Sequence, residues 1–196
     1  DDQSAVPEVR AELLNQGDAA LKMKDGHLAL DAADPDLRGD ALAVSVQEHG
    51  APAVDALIAE IPKTSDPAKR NAMLSALADA KDPALANKAR DFALGKDVKV
   101  GEMAMVLRGA RSSEASRNEL WTWFLANYDK IVQRTGSFAG GQLPGLVGGG
   151  GCSKAEADRL NAFFKDRAAK ITGAERGLAQ TSESILLCTA LKAKQD

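Results

Sequence analysis

Two histidines, two cysteines and a glycine-rich segment are the residues from which this chain could build chemistry. His27 and His49 do not belong to a His-Glu-x-x-His pair, and neither has a second ligand type three or four residues away on a clear helical face, so no zinc chelate is formed by spacing. His49 stands before Gly50 at an expected helix end, where an imidazole commonly contacts terminal carbonyls. Gly145 and Gly150 have the separation of the first two glycines of a phosphate loop, but Gly151 stands where the lysine belongs and no strand pattern precedes it. Nucleotide binding is rejected. There is no Gly-x-Ser-x-Gly, and two poorly placed histidines leave a Ser/His/Asp triad little material. Glu156 and Asp158 are expected on a solvated helix face. Trp121 and Trp123 could stack a ligand, yet aromatic residues at helical spacing read as core. Cys152 and Cys188 belong to no Cys-x-x-Cys motif and read as two ordinary thiols rather than a bridge. The residues alone offer no catalytic machinery.

What must position these residues is a set of helices. The chain is 44% hydrophobic but only 4% aromatic, which favours close-packed helices over a β-sandwich and predicts an all-α protein. A net charge of -3, with Lys and Arg scattered among the acids, provides no basic stripe for neutralising phosphates, so nucleic acid is excluded as a partner. No apolar run approaches the roughly 18 residues of a membrane span, and DDQSAVPEVR lacks the pattern of a signal peptide.

Residues 1–33 are expected to form N-terminal helices: one capped by Ser4 and ended by Gly17, the next starting at ALKMK. Residues 34–196 are expected to form the main repeat domain, continuous with them. Asp-Pro recurs at Asp34-Pro35, Asp66-Pro67 and Asp82-Pro83, each a cap followed by a proline whose missing N–H costs nothing at the first helical position. The predicted helices are 35–49, 52–61, 67–79, 83–94, 100–108 and 114–135, the last stopped by Gly136. Short connections and two-helix units that each need a neighbour predict an α-solenoid of antiparallel helix pairs, HEAT/ARM-like, with a closed bundle as the alternative.

From Thr135 to Ser153 no residue is charged, and eight of the seventeen glycines lie between Gly136 and Gly151. The segment reads as a flexible loop with a short helix near 142–147, either lying against another surface or exposed. Ser153 with Glu156 makes a capping box, as does Thr172 with Glu175. Leu178, Ile185, Leu187 and Leu191 are expected to face inward from the last helix.

The run ELWTWFLANYDKIVQRTGSF, then CSKAEADRLNAFFKD, then AERGLAQTSESI resembles the C-terminal helical domain of zinc-dependent aminopeptidases of the puromycin-sensitive and aminopeptidase N type. There a W-x-F-L-x-x-N-[WY]-D-x-[IL] helix, a G-S-F turn, a C/S-[ST]-x-x-E helix and an E-R-x-[LI]-x-Q-[ST]-x-E-x-I helix follow in this order. The similarity covers about Asp34 to Leu191, and QLPGLVGGGG departs from the pattern. The resemblance implies a non-catalytic HEAT-like domain covering the active-site chamber of a parent that removes N-terminal residues from peptides. It also implies zinc only in the parent's catalytic domain, and none held by this chain. Its implied partners are that catalytic domain, on the same polypeptide, and peptide substrates; an apolar surface bared by removal from the neighbour would support self-association. Arg134, Ser137 and Phe138, at the end of the aromatic helix, either face the chamber or serve only the helix terminus. The alternative is a free-standing HEAT-like scaffold binding a protein partner on its concave face.

Overall fold

A computed structural model of the chain describes residues 6–109, 111 and 113–194, with the backbone alone of 137–139. Ser4 and Ser112 lie outside the described residues. The fold is all-α, with one two-stranded hairpin among the described residues, and it divides into two compact units, Asp1–Gly109 and Ala110–Asp196.

In the N-terminal unit, α1 is Pro7–Ala20, running through Gly17 rather than ending there. Gly17 faces the second helix, α2 (Arg38–His49); a Cβ on it would lie 2.8 Å from the Ala41 carbonyl carbon and strike its oxygen, so the glycine is a point of close approach. No second helix begins at Ala20. Met23–Lys24 and His27–Leu28 instead pair as strands β1 and β2 around Asp25 and Gly26, both at positive φ (53° and 82°), as a type I′ turn requires. Asp34 closes a turn: its Oδ1 accepts from the Asp36 N–H at 2.8 Å, and α2 starts only at Arg38.

The other two Asp-Pro pairs do start helices. Asp66 accepts from the N–H groups of Ala68 and Lys69 ahead of α4 (Pro67–Leu77), and Asp82 from that of Leu85 ahead of α5 (Pro83–Ala93). Between α2 and α4, Gly50 at φ 63° leads straight into α3 (Ala51–Glu60); α6 (Val100–Arg108) follows α5. Successive packing of α1, α2, α4 and α6 makes one row, and α3 on α5 makes a second. Leu42, Val54, Leu57, Met73 and Leu74 are fully buried between them. Across the first row the Arg70 guanidinium forks onto Glu102 (Nε–Oε1 3.0 Å, Nη2–Oε2 2.8 Å) and donates to the carbonyls of Ile61, Thr64 and Asp97. Removing either partner would leave a buried charge exposed to the apolar interior.

The C-terminal unit is built differently. The long helix α7 (Glu114–Gly140) breaks where Gly136 takes φ 58° and ψ -166°. After it come α8 (Leu143–Gly148), α9 (Lys154–Phe164) and α10 (Ala174–Lys192). Helix α10 packs on both α8 and α9.

Candidate functional site

The end of α7 is where the sequence placed its candidates. Thr135 is buried and turns its hydroxyl back to the Ile131 carbonyl at 2.9 Å, and the backbone then enters the left-handed region at Gly136. Arg134, one residue before Thr135, is half-buried. The side chains of Ser137 and Phe138 lie outside the described residues.

Beyond that break, the glycine-rich link is a packed element. Leu143, Pro144, Leu146 and Val147 of α8 are buried. A Cβ on Gly141 would come 2.6 Å from the Thr172 carbonyl oxygen, and one on Gly148 2.7 Å from Leu160. The glycines therefore let the backbone come close to a distant carbonyl at Gly141 and to distant side chains at Gly148, a use set by those partners and unreadable from their own neighbours in sequence. Charge is absent where the link faces protein, as at Leu143, Pro144, Leu146 and Val147. Only Gly136 and Gly150 within the link have positive φ, so close contact, more than chain reversal, explains its composition.

Cys152 and Cys188 form a disulfide, with Cα atoms 5.0 Å apart, against the expectation of two free thiols. The sequence separation of 36 takes in α9, a turn and most of α10, so the chain doubles back and brings the two together. Glu156 departs from expectation too. It is 6% exposed, not solvated: Oε1 accepts from Arg117 Nε at 2.6 Å, and Oε2 from the Cys152 N–H and the Ser153 hydroxyl at 2.9 Å each. Burial pushes its carboxyl up, but the donors from Arg117, Cys152 and Ser153 outweigh it and hold the group below the usual carboxylate range. Of the capping box expected at Ser153 the serine half is present, its hydroxyl accepting from the Glu156 N–H, while the Glu156 carboxylate takes the Cys152 N–H in place of that of Ser153 and doubles as the buried partner of α7. The box expected at Thr172 does not form; Gly173, at φ 80°, is the N-cap of α10, because the Thr172 carbonyl lies against Gly141 and the chain must turn in the left-handed region.

Trp121 and Trp123 take the core role. Trp123 and Phe124 are buried, and Trp121, Phe124 and Tyr128 of α7 interlock with Phe163 of α9 at centroid distances of 5.1–5.7 Å. Arg167 lies 4.1 Å over the Phe163 ring and Arg159 5.1 Å over that of Trp121. These rings are occupied by one another and by cations of their own unit. On α10, Ile185 is buried and Leu178 half-buried, but Leu187 and Leu191 are 58% and 63% exposed; the inward positions are Ala174, Thr181 and Ile185.

Neither histidine is at a carbonyl. His49 Nε2 is 2.7 Å from Asp18 Oδ1, which also accepts from the buried Ser45 hydroxyl, and His27 Nδ1 is 2.7 Å from Glu60, a carboxylate buried beside the hairpin. With both cysteines bridged and each histidine beside one carboxylate, the donor set does not fit a zinc ion: no group of three His, Cys, Asp or Glu residues among the described residues could hold one. No described helix is long and apolar enough to cross a membrane. At the end of α7 the described residues offer a helix break with the half-buried Arg134 beside it.

A family model described as the ERAP1-like C-terminal domain matches residues 3–187. No curated protein matches the chain.

Proposed function

This chain belongs to the ERAP1-like C-terminal domain family, and we propose that it is the non-catalytic, covering part of a zinc metalloaminopeptidase. In this reading the two rows of helices are turns of a HEAT-like α-solenoid that lies over the parent's active-site chamber and limits which peptides reach it. The family match from residue 3 to residue 187 carries the proposal, since it spans both compact units. Zinc and the general base belong to the catalytic domain of the same polypeptide; hydrolysis of the N-terminal peptide bond is that domain's chemistry.

A covering domain acts through geometry. It excludes bulky folded chains and water from the chamber, and it presents fixed polar groups to the far part of a bound peptide. Arg134, Ser137 and Phe138 are the groups proposed to face the chamber. Arg134 suits the carboxylate end of a peptide, because a guanidinium can fork onto a carboxylate and one half-buried at a helix break has less freedom to lose on binding.

In the full-length enzyme, Arg134→Ala combined with Phe138→Ala is expected to lower kcat/KM several-fold for long peptides and leave aminoacyl anilides unaffected. Identical dependence on peptide length in variant and parent would end the assignment of these residues. The 196-residue chain alone is expected to hydrolyse no aminoacyl anilide and to take up no stoichiometric zinc. Chelator-sensitive turnover by the pure chain would contradict the covering role itself.

A further inference from the structure

A groove in the N-terminal unit, formed where α1 meets α2, is left unused by that reading. Its volume is about 500 Å3, within the range of sites that hold a small ligand or a few peptide side chains. Val9, Leu13, Leu37 and Val44 make its apolar floor, and Val9 and Leu37 remain 39% and 40% exposed. Its walls carry Glu8, Glu12, Asp40 and Asp79, while no lysine or arginine is among the described residues lining it.

Local structure accounts for part of this distribution, since Glu8 and Asp40 lie in the first turns of α1 and α2, where the helix dipole favours a carboxylate. Glu8 and Glu12 are one helical turn apart on α1, a like-charge spacing that weakens a helix. Among the described residues only an uncharged donor, the Gln16 amide, reaches Glu12, at 2.8 Å. Arg10, the cation between them in sequence, is turned to Gln47 and Glu48 on α2, where its charge is matched by Glu48. An apolar floor between acidic walls calls for a complementary surface with aliphatic side chains between positive ones.

We propose that this groove is a docking site for a peptide segment that carries aliphatic residues flanked by lysine or arginine. The aliphatic side chains cover Val9 and Leu37, and the cations lie against the carboxylates of α1 and α2. The proposal is independent of the enclosing role, and its test needs no enzyme activity.

The probe is a short fluorescein-labelled peptide of alternating leucine and lysine, titrated by anisotropy into the 196-residue chain. Saturable binding that weakens with salt is expected. Two sets of substitutions at exposed positions, Leu37→Ser and the neutralising set Glu8→Gln, Glu12→Gln and Asp40→Asn, are each expected to weaken it about tenfold with far-UV circular dichroism unchanged. Leu187→Ser with Leu191→Ser on α10 should leave it as it was. Equal binding of a leucine–glutamate peptide, of a glycine–lysine peptide, or of leucine–lysine by the neutralised variant would overturn the site. So would absence of binding, displacement by millimolar Ca2+ at constant ionic strength, or sedimentation showing a dimer that Leu37→Ser dissolves; the last two assign the groove to a cation or to a second copy.

Discussion

The two units each stitch their helices together with a buried arginine–glutamate pair, Arg70–Glu102 in one and Arg117–Glu156 in the other, but they fill the space around those pairs by opposite means. The N-terminal unit uses short helices, small aliphatic side chains and aspartate caps, so that much of its order is encoded locally. The C-terminal unit uses interlocked rings, glycines at close contacts and a disulfide, all of which join residues distant in sequence. Local encoding tolerates change at one position better than a set of mutually dependent long-range contacts.

Both tryptophans are in the C-terminal unit, so their fluorescence follows that unit while far-UV circular dichroism follows both. Phe124, at 0% exposure among four other rings, should give the largest separation. Phe124→Ala is expected to cost about 4 kcal/mol and move the urea midpoint by fluorescence, while Leu74→Ala in the other unit costs about 3 kcal/mol and moves the dichroism alone. If either substitution shifts both probes equally, the units unfold as one and the contrast between them fails.

Breaking the shared device comes next in size. Glu156→Gln leaves Arg117 buried without its counter-charge, and Glu102→Gln does the same to Arg70; each is expected to destabilise its own unit by about 3 kcal/mol at neutral pH. At Glu102 the Arg70 hydrogen bonds, opposed by burial and helped by the Lys99 N–H, hold the carboxyl below the usual range, as the donors around Glu156 do there. A carboxyl with a lowered folded-state pKa adds stability that is full above the ordinary carboxylate range and drains away as pH falls through the lowered value. Both units should therefore weaken in acid, and each Gln variant should flatten that acid limb in its own unit only.

Reducing the Cys152–Cys188 bridge is expected to remove about 3 kcal/mol from the C-terminal unit, read by tryptophan fluorescence with and without dithiothreitol. Hydrogen exchange in α4 and α6 should be unchanged. Faster exchange there on reduction would show that the bridge supports more than its own unit.

The same division between local and long-range encoding decides what was legible in the amino-acid order. The all-α class, the caps at Asp66, Asp82 and Ser153, the stop at Gly136, the short helix after it and the bounds of α6 all rest on neighbours within a few residues. Asp25-Gly26 carried an equally local hairpin signal, which the reading of ALKMK as a helix start overrode. Gly17, the disulfide and the burial of Glu156 were misread, and the α8 glycines were left open between contact and exposure, because each depends on a partner more than about ten residues away in sequence. Leu187 and Leu191 follow helical spacing, yet spacing names a face without saying whether anything covers it. At the candidate residues the structure describes the break at Gly136 and the half-buried Arg134 beside it, and nothing of the side chains of Ser137 and Phe138.

The smallest expected effects probe the Asp-Pro repeat, where three sequence-identical signals met two structural outcomes. Asp66→Ala removes a carboxylate that accepts from two N–H groups at the first turn of α4, and Asp82→Ala one that accepts from the Leu85 N–H at the first turn of α5. Each should cost about 1 kcal/mol, seen in the dichroism midpoint and not in fluorescence. Asp34→Ala loses only a turn bond to the Asp36 N–H, on an exposed segment that precedes α2 by several residues, so water replaces much of it and the cost should be distinctly smaller. Equal losses at all three positions would mean that Asp34 stabilises the start of α2 despite the intervening turn. The aspartate–proline pair would then act as a helix start wherever it occurs, independent of what the following residues pack against.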